Sequence, residues 1–504
     1  MKVFLGIHVG HNASTSLMIN GEVIFALQEE RFTEQKNFMG FPEKSLHYIK
    51  KFVKKNSIII DEAGFSSTSM QVFELKYPII HFFSIKDFDE YYGKKFYDRR
   101  LKNLNINSYL NSFQKDKNFK KVKNIYSKTK NKDLLNNYEK YRIVSKEGLV
   151  KIFGKLIKKI SFLDHHTCHA YYGKYSIFTK EKKFAVVVLD AMGDNINQSI
   201  WLAGSKKNEI KSILRNSEFE LARIYKFVTL LLNLRPDEHE FKVMGMAPYA
   251  KENYYKTIYT NVFKDIQKFK DLALVHNKRP KNLYGYLKEN LRHERFDNIA
   301  GAVQYYVEIT VRELLKRIYK KYKIKSFFFS GGISMNVKMH NFLIKDKNIS
   351  KIHNAPSGSD ESLSIGACYY LNRRNESFPL KNLSLGIPVV EKNSEIKKII
   401  IKNFKKKFKI IYNVKPKYIA KLISKNEIIA IADGREEFGA RALGNRSIIA
   451  NPSNPDNVKQ INEFIKNRDF WMPFALTILD ERTSRYIQNS KNLISEFMNL
   501  SFDT

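Results

Sequence analysis

Cysteine is almost absent from this 504-residue chain: it occurs at Cys168 and Cys368 and nowhere else. Two thiols so far apart in the sequence argue against a disulfide framework and fit a reducing cytoplasm. Long hydrophobic runs are missing too. No stretch approaches the ~18–20 apolar residues of a membrane-spanning helix. The opening stretch MKVFLGIHVGHNAS breaks its apolar run at His8, Gly10, His11 and Asn12, without the apolar core and cleavage site of a secretory leader. A cytoplasmic protein with no membrane partner is the expectation. Neither G-x-x-x-x-G-K-[ST] nor G-x-G-x-x-G occurs, which disfavours a P-loop or dinucleotide-binding fold. No internal repeat and no long low-complexity tract is visible. Acidic charge is short as well, with 51 Asp and Glu against 88 Lys and Arg, leaving a formal +37. The excess is mostly lysine, spread along the chain instead of gathered into a stripe, so nucleic acid is not the expected partner. A basic molecule attracts small anions, phosphorylated substrates among them.

What is present is enough apolar residue, 43%, for a substantial core, and the length predicts two domains or three. VFLGIHVG and STSLMIN read as strands parted by His11-Asn12-Ala13. Asn20-Gly21 is a hairpin turn signal before the strand EVIFALQEE. A helix follows Phe41-Pro42. Residues 85–145 are Tyr- and Lys-rich and read as a helical surface insertion. From about residue 158 strands and helices alternate, with KISFL, FAVVVLD and IKSFFF each running into a Gly- or Asp-containing turn. The stretch 372–390 reads as a linker. Beyond it a second α/β unit holds the helix KYIAKLISKN, the strand EIIAIAD and the loop GREEFGARALGNRS. The predicted fold class is α/β.

Several constellations could carry chemistry. In DHHTCHAYYG, residues 164–173, His165 and His169 stand four apart, so a helix would place both imidazoles on one face. Asp164 is a candidate N-cap and His166 would point away. The spacing alone fits a metal clamp or two ordinary histidines. Glycine loops follow three strands, at Gly6–Ser14, Asp190–Asp194 and Ser330–Gly332, and could bring backbone N–H groups to a phosphate. Their joint placement suggests the two-lobed nucleotide cleft of actin and sugar kinases. Asp360 lies in the polar loop NAPSGSDESLSIGA. Folded back onto 165–169, it would complete a two-histidine, one-carboxylate set of the kind that holds ferrous iron, with zinc as the alternative. Otherwise it is a helix cap. In the second unit Arg435, Arg441 and Arg446 cluster with glycines, followed by Lys466 and Arg468, a pattern that suits an oxyanion.

These motifs, in this order, resemble one family. LGIHVGHNAS, NGEVIFALQEERF, DHHTCHA, LDAMGDN, HEFKVMGMAPYA, SGGISMNV, PSGSDESLSIGA and GREEFGARALGNRSI are similar to the NodU/CmcH-type O-carbamoyltransferases, across nearly the whole chain except 85–145. The resemblance implies an actin-like, two-subdomain ATPase-type lobe over 1–380, related to the threonylcarbamoyl-tRNA synthase subunit. A YrdC-like α/β lobe over 381–504 would follow. It implies an enzyme that uses carbamoyl phosphate and ATP, with Mg2+, to form carbamoyl adenylate, and that carbamoylates a hydroxyl of a small-molecule or sugar acceptor.

Carried onto this chain, the resemblance makes His165, His169 and Asp360 the metal ligands, for iron(II) or zinc. His11 becomes the group that takes the acceptor's proton. Gly193, Asp194, Lys242, Gly331, Gly332 and Asn336 would line the adenylate cleft. Arg441 and Arg446, with Lys466 and Arg468, would hold carbamoyl phosphate and ATP in the second lobe. Two departures stand out. Asn12 occupies a position where the family commonly has Asp, and the sequence stops at NLSFDT, short of the family's usual length, so an incomplete second lobe with impaired adenylate formation is expected. The competing readings are a threonylcarbamoyl-type tRNA-modifying enzyme and an inactive binding protein.

Overall fold

The computed structural model describes residues 1–69, 84–90, 92–93, 138–204, 209–389, 398–399, 401–403, 409 and 411–504. Most of the expected 85–145 insertion lies outside the described residues. By its contacts the chain divides into two compact units, Met1–Leu380 with Gln488–Thr504, and Lys381–Ile487. Residues 488–504, expected in the second lobe, therefore belong to the first. There Asn499 Nδ2 donates to the carbonyls of Asn354 (2.8 Å) and Ala355 (3.1 Å), and Ser501 Oγ to that of Val337 (3.0 Å).

Two five-stranded sheets form the first unit. One contains β1 (Val3–His8), β2 (Ser14–Ile19), β3 (Glu22–Gln28), β4 (Glu62–Phe65) and β5 (Ile160–Phe162) in the order β3-β2-β1-β4-β5. The other contains β6 (Ala185–Gly193), β7 (Ile196–Ala203), β8 (Ile210–Asn216), β11 (Ser326–Ser330) and β12 (Lys351–Asn354) in the order β12-β11-β6-β7-β8. A separate hairpin, β9 (Gln267–Lys270) with β10 (Ala273–His276), accounts for the intervening numbers. Each sheet starts as an antiparallel three-strand meander and grows on the other side of its first strand by two parallel strands. The topology is thus repeated, although no repeat is legible in the sequence. What recurs is the pattern of strand connections and buried faces, which many residue choices satisfy. The arrangement is α/β and actin-like in its duplicated sheets. In the first hairpin Asn20 and Gly21 take φ of 49° and 84°, as a type I′ turn requires.

Helices pack on these sheets: α1 (Glu43–Lys55), α2 (Tyr138–Phe153), α3 (His165–Tyr175), α4 (Leu221–Leu231), α5 (Glu240–Met246), α6 (Phe296–Tyr322), α7 (Val337–Ile344) and α8 (Leu363–Leu371). α8 lies on β1 and β2, α3 lies on β6 and β11, and α3 and α8 pack against each other. Buried hydroxyls help seat α8: Ser14 Oγ donates to the Glu361 carbonyl at 2.6 Å, and Ser16 and Ser364 share a hydrogen bond at 2.7 Å. A Cβ at Gly366 would stand 2.1 Å from the Cys168 carbonyl oxygen, so glycine is what lets α8 come this close to α3. Where residues 85–145 are described, most are exposed or half-exposed, as a surface element would be, but a few are anchored. Phe88, Tyr92 and Tyr141 are buried, and Tyr92 packs edge-on against Phe227. The polar composition of that stretch hid these apolar anchors.

In the second unit α9 (Pro416–Ser424) precedes the two-stranded antiparallel pair β13 (Ile429–Ala432) and β14 (Arg446–Ile449). α9 buries none of its residues, and Phe464 and Phe470 are 80% and 75% exposed. Among the described residues no helix is long and apolar enough to cross a membrane.

Candidate metal centre

β5 ends just before Asp164, whose side chain caps α3 by accepting from Thr167 N at 2.8 Å. Arg215 pairs with the same carboxylate. The cap starts the helix at His165, so His165 and His169 face the same way, with ring centroids 4.9 Å apart. Asp360 opens the short turn leading into α8 and comes back onto them: its Oδ1 lies 3.7 Å from His165 Nε2 and 3.5 Å from His169 Nε2. The expected set of three therefore assembles.

A fourth member, Asp190, was not expected as a ligand. Its Oδ2 lies 3.3 Å from His165 Nε2, and its Oδ1 accepts from Gly332 N at 3.1 Å. Donor atoms of His165, His169, Asp190 and Asp360 all fall within 4.8 Å of one another. The signal that could have found Asp190 is its place at the end of the buried strand FAVVVLD, where an ionisable group has no packing reason to be.

Burial opposes charge on His165, but the Asp190 hydrogen bond and the charges of Asp360, Asp190 and Asp194 prevail and raise its pKa to about 9. Burial raises the Asp190 carboxyl, yet His165 and the other imidazoles hold it well below the usual range. Asp360 is lowered by His169, His165 and His8 despite burial and the like charge of Asp190. The group fits a divalent cation on its own chemistry. His169 Nε2 is buried with no hydrogen-bond partner, while Ser330 Oγ meets its Nδ1 at 3.2 Å. That is the arrangement in which the far nitrogen orients the ring and the near one is left for a metal. Two imidazoles and two carboxylates suit iron(II) or zinc.

Several residues predicted for a nucleotide cleft prove to frame this centre. A Cβ at Gly193 would stand 2.1 Å from His165 Cδ2, so that glycine makes room for the ring. Asp194 spends its carboxylate on the backbone of Thr68 (2.9 Å) and His165 (2.9 Å) and on Ser67 and Ser69. Gly331, at φ 90°, donates to the Gly358 carbonyl at 2.8 Å, and Gly332 serves Asp190. Asn336 caps α7 through Met339 N (2.9 Å) and exchanges hydrogen bonds with Gln304 at 2.8 and 3.0 Å. Lys242 is half-buried on α5. His166 is the expected bystander, bonded to the Ile196 carbonyl (3.0 Å) and Ser199 Oγ (2.9 Å). Cys168 is fully buried packing. His11 is half-buried, and its Nε2 lies 3.2 Å from the Asp237 carbonyl. His8, unremarked as a site residue, donates from Nε2 to the His11 carbonyl at 2.9 Å and accepts from Ser66 Oγ at 2.9 Å.

In the second unit the loop after β13 is organised from within. Glu437 Oε1 accepts from the backbone of Leu443, Asn445 and Arg446 at 2.7–3.0 Å, so those amides already hold an anion. Arg435 turns inward to the Gly386 (2.8 Å) and Leu385 (2.6 Å) carbonyls. Arg446 pairs with the buried Glu436. Arg468 bonds Asn462 and lies 4.3 Å over the Phe474 ring, and Lys466 is exposed. Arg441 differs from these: its Nε is buried without a partner.

Residues 3–369 match the family model described as Carbamoyltransferase N-terminus, and residues 420–504 that described as Carbamoyltransferase C-terminus. An uncharacterized protein of Methanocaldococcus jannaschii is 28% identical over 510 residues, covering 99% of this chain and 82% of its own. A second from that organism is 28% identical over 397 residues, covering 74% of this chain. The nodulation protein NolNO of Sinorhizobium fredii is 21% identical over 487 residues, covering 95% of this chain. The chain spans only 62% and 64% of the length of these last two. Among solved structures, full-length HypF in its phosphate- and nucleotide-bound form is 13% identical at a TM-score of 0.35, covering 74% of this chain and 46% of that one.

Proposed function

The chain belongs to the carbamoyltransferase family, and we propose that it transfers a carbamoyl group from carbamoyl phosphate, activated by ATP as carbamoyl adenylate, to a hydroxyl of a small-molecule or sugar acceptor. The observation that carries this reading is the four-residue group of His165, His169, Asp190 and Asp360, the first three buried and Asp360 half-buried, a candidate cation site whose His165 ring lies 6.2 Å from that of His8, which bonds the His11 carbonyl. When bound there, iron(II) or zinc would supply positive charge against oxygens of the activated donor as negative charge develops on them.

The chain's own residues do the rest. His11 takes the proton of the acceptor hydroxyl as its oxygen attacks the carbamoyl carbon and the adenylate leaves as AMP. Gly193, Asp194, Gly331, Gly332 and Asn336 shape the adenylate cleft by holding its loops, and Lys242 adds positive charge for the donor's phosphate. Arg441, with an uncommitted buried Nε, is the principal anion contact of the second unit. Arg446, Lys466 and Arg468 add positive charge around carbamoyl phosphate and the Mg2+-bound nucleotide.

Metal analysis of the purified chain beside His165→Ala, Asp190→Ala and Asp360→Ala tests the centre. Each variant should lose at least ~10-fold in affinity for iron or zinc. Equal metal content in wild type and variants overturns the assignment. Labelled carbamoyl appearing on tRNA but on no small hydroxyl compound would overturn the acceptor class.

A further inference from the structure

We propose that Lys226 is a positioning residue for carbamoyl transfer: its ion pair with Asp237 holds the carbonyl that sets the tautomer of His11. The proposal rests on the reading of His11 as the proton acceptor. His11 Nε2 lies 3.2 Å from the Asp237 carbonyl oxygen. A carbonyl oxygen only accepts, so Nε2 carries the hydrogen, and in the neutral ring Nδ1 is the basic nitrogen. The ring's chemistry therefore depends on where one backbone carbonyl points.

That carbonyl belongs to a residue in an unusual conformation. Asp237 has φ 63°, a left-handed geometry that a non-glycine residue keeps only when its surroundings over-determine it. Three contacts do so. Its backbone N donates to Glu240 Oε1 at 2.7 Å, its carboxylate pairs with Lys226 Nζ, and its carbonyl meets His11. Lys226 reaches the loop from α4, its side chain 18% exposed and its Nζ 5.2 Å from the centroid of the Tyr92 ring.

Asp237 and Glu240 are two acidic groups at one corner, and Lys226 acts electrostatically on both. Without it Asp237 loses its cationic partner, and the turn loses the tie that keeps its carbonyl aimed at His11. His8 holds the other end of the arrangement by donating to the His11 carbonyl. His11 is thus gripped at its backbone by β1 and at its ring by the loop between α4 and α5.

The test is 15N NMR of histidine-labelled full chain, with His11→Asn identifying the His11 ring signals. In wild type, His11 should be predominantly the Nε2–H tautomer. Lys226→Met should lose that predominance and mix the two tautomers, and Lys226→Arg, which keeps the charge, should restore it. A Lys226→Met protein that retains the wild-type tautomer overturns the proposal, even if it is less stable. Should that variant fail to fold by circular dichroism, Asp237→Asn removes the same ion pair and is held to the same two outcomes. The base reading fails separately: transfer from labelled carbamoyl phosphate that survives His11→Asn removes it, whereas the tautomer readout is independent of turnover.

Discussion

Gly193 shows how much of the centre depends on an atom that is missing. Its absent Cβ is the space occupied by the His165 ring. Gly193→Ala should displace that ring from Asp190 and Asp360 and weaken iron or zinc binding by about 10–100-fold, read by titration against a competing chelator. Wild-type affinity in that variant would mean that the ring has another productive position. The same residue illustrates the limit of a sequence reading. A glycine after a strand is legible as a close approach, but whether a phosphate or an imidazole makes the approach depends on a helix some thirty positions away in the chain. Asp190 was hidden for a related reason, since its distance to His165 exists only once β6 lies beside α3.

Elements are held by buried charge as well as by packing. Glu220, just before α4, is 1% exposed and binds Arg223 (2.8 Å), Arg279 (2.9 Å) and His276 (3.1 Å), tying the β9–β10 hairpin to α4. Glu220→Ala leaves buried guanidinium groups unpaired and should cost ~3–5 kcal/mol, measured by urea unfolding. A loss within experimental error would show that the network is neutral. In the second unit, burial pushes the Glu437 carboxyl up, but the three backbone amides that it accepts from outweigh this and lower it below its usual 4.5. With the folded value depressed, its stabilisation is fully present above pH 4.5 and fades as pH falls through the folded value. Hydrogen exchange at Leu443, Asn445 and Arg446, corrected for intrinsic rates, should accelerate on acidification. Glu437→Gln should accelerate it at neutral pH and flatten the pH dependence. Unchanged exchange in that variant would show that the carboxylate does not organise the loop.

The molecule as a whole is unequally packed. The first unit buries two sheets and the helices on them, whereas the second exposes Phe464, Phe470, Leu476 and Leu479 and, among its described residues, buries few apolar side chains beyond Phe438, Ile461, Met472 and the leucines at 383 and 385. Unfolding should therefore proceed in two steps, with residues 411–487 exchanging at lower free energy than β1, β6 and β11. A single transition in calorimetry, with all amides exchanging at the global free energy, would contradict this. The formal +37 sets the electrostatic background for small anions in both units.

Reading residues in order was enough for the strands VFLGIH and AVVVLD, the Asn20-Gly21 turn, the Asp164 cap and the pairing of His165 with His169, because these depend on neighbours within a few positions. Membership of the carbamoyltransferase family was legible in the order of the motifs. Folding in three dimensions chose the rest: Asp190 as fourth member of the centre, glycines given to a ring and to a helix crossing, a terminal segment returned to the first unit, and a duplicated sheet without a visible repeat. Each of these is a contact between distant parts of the chain, and its geometry is created by packing, not by local spacing.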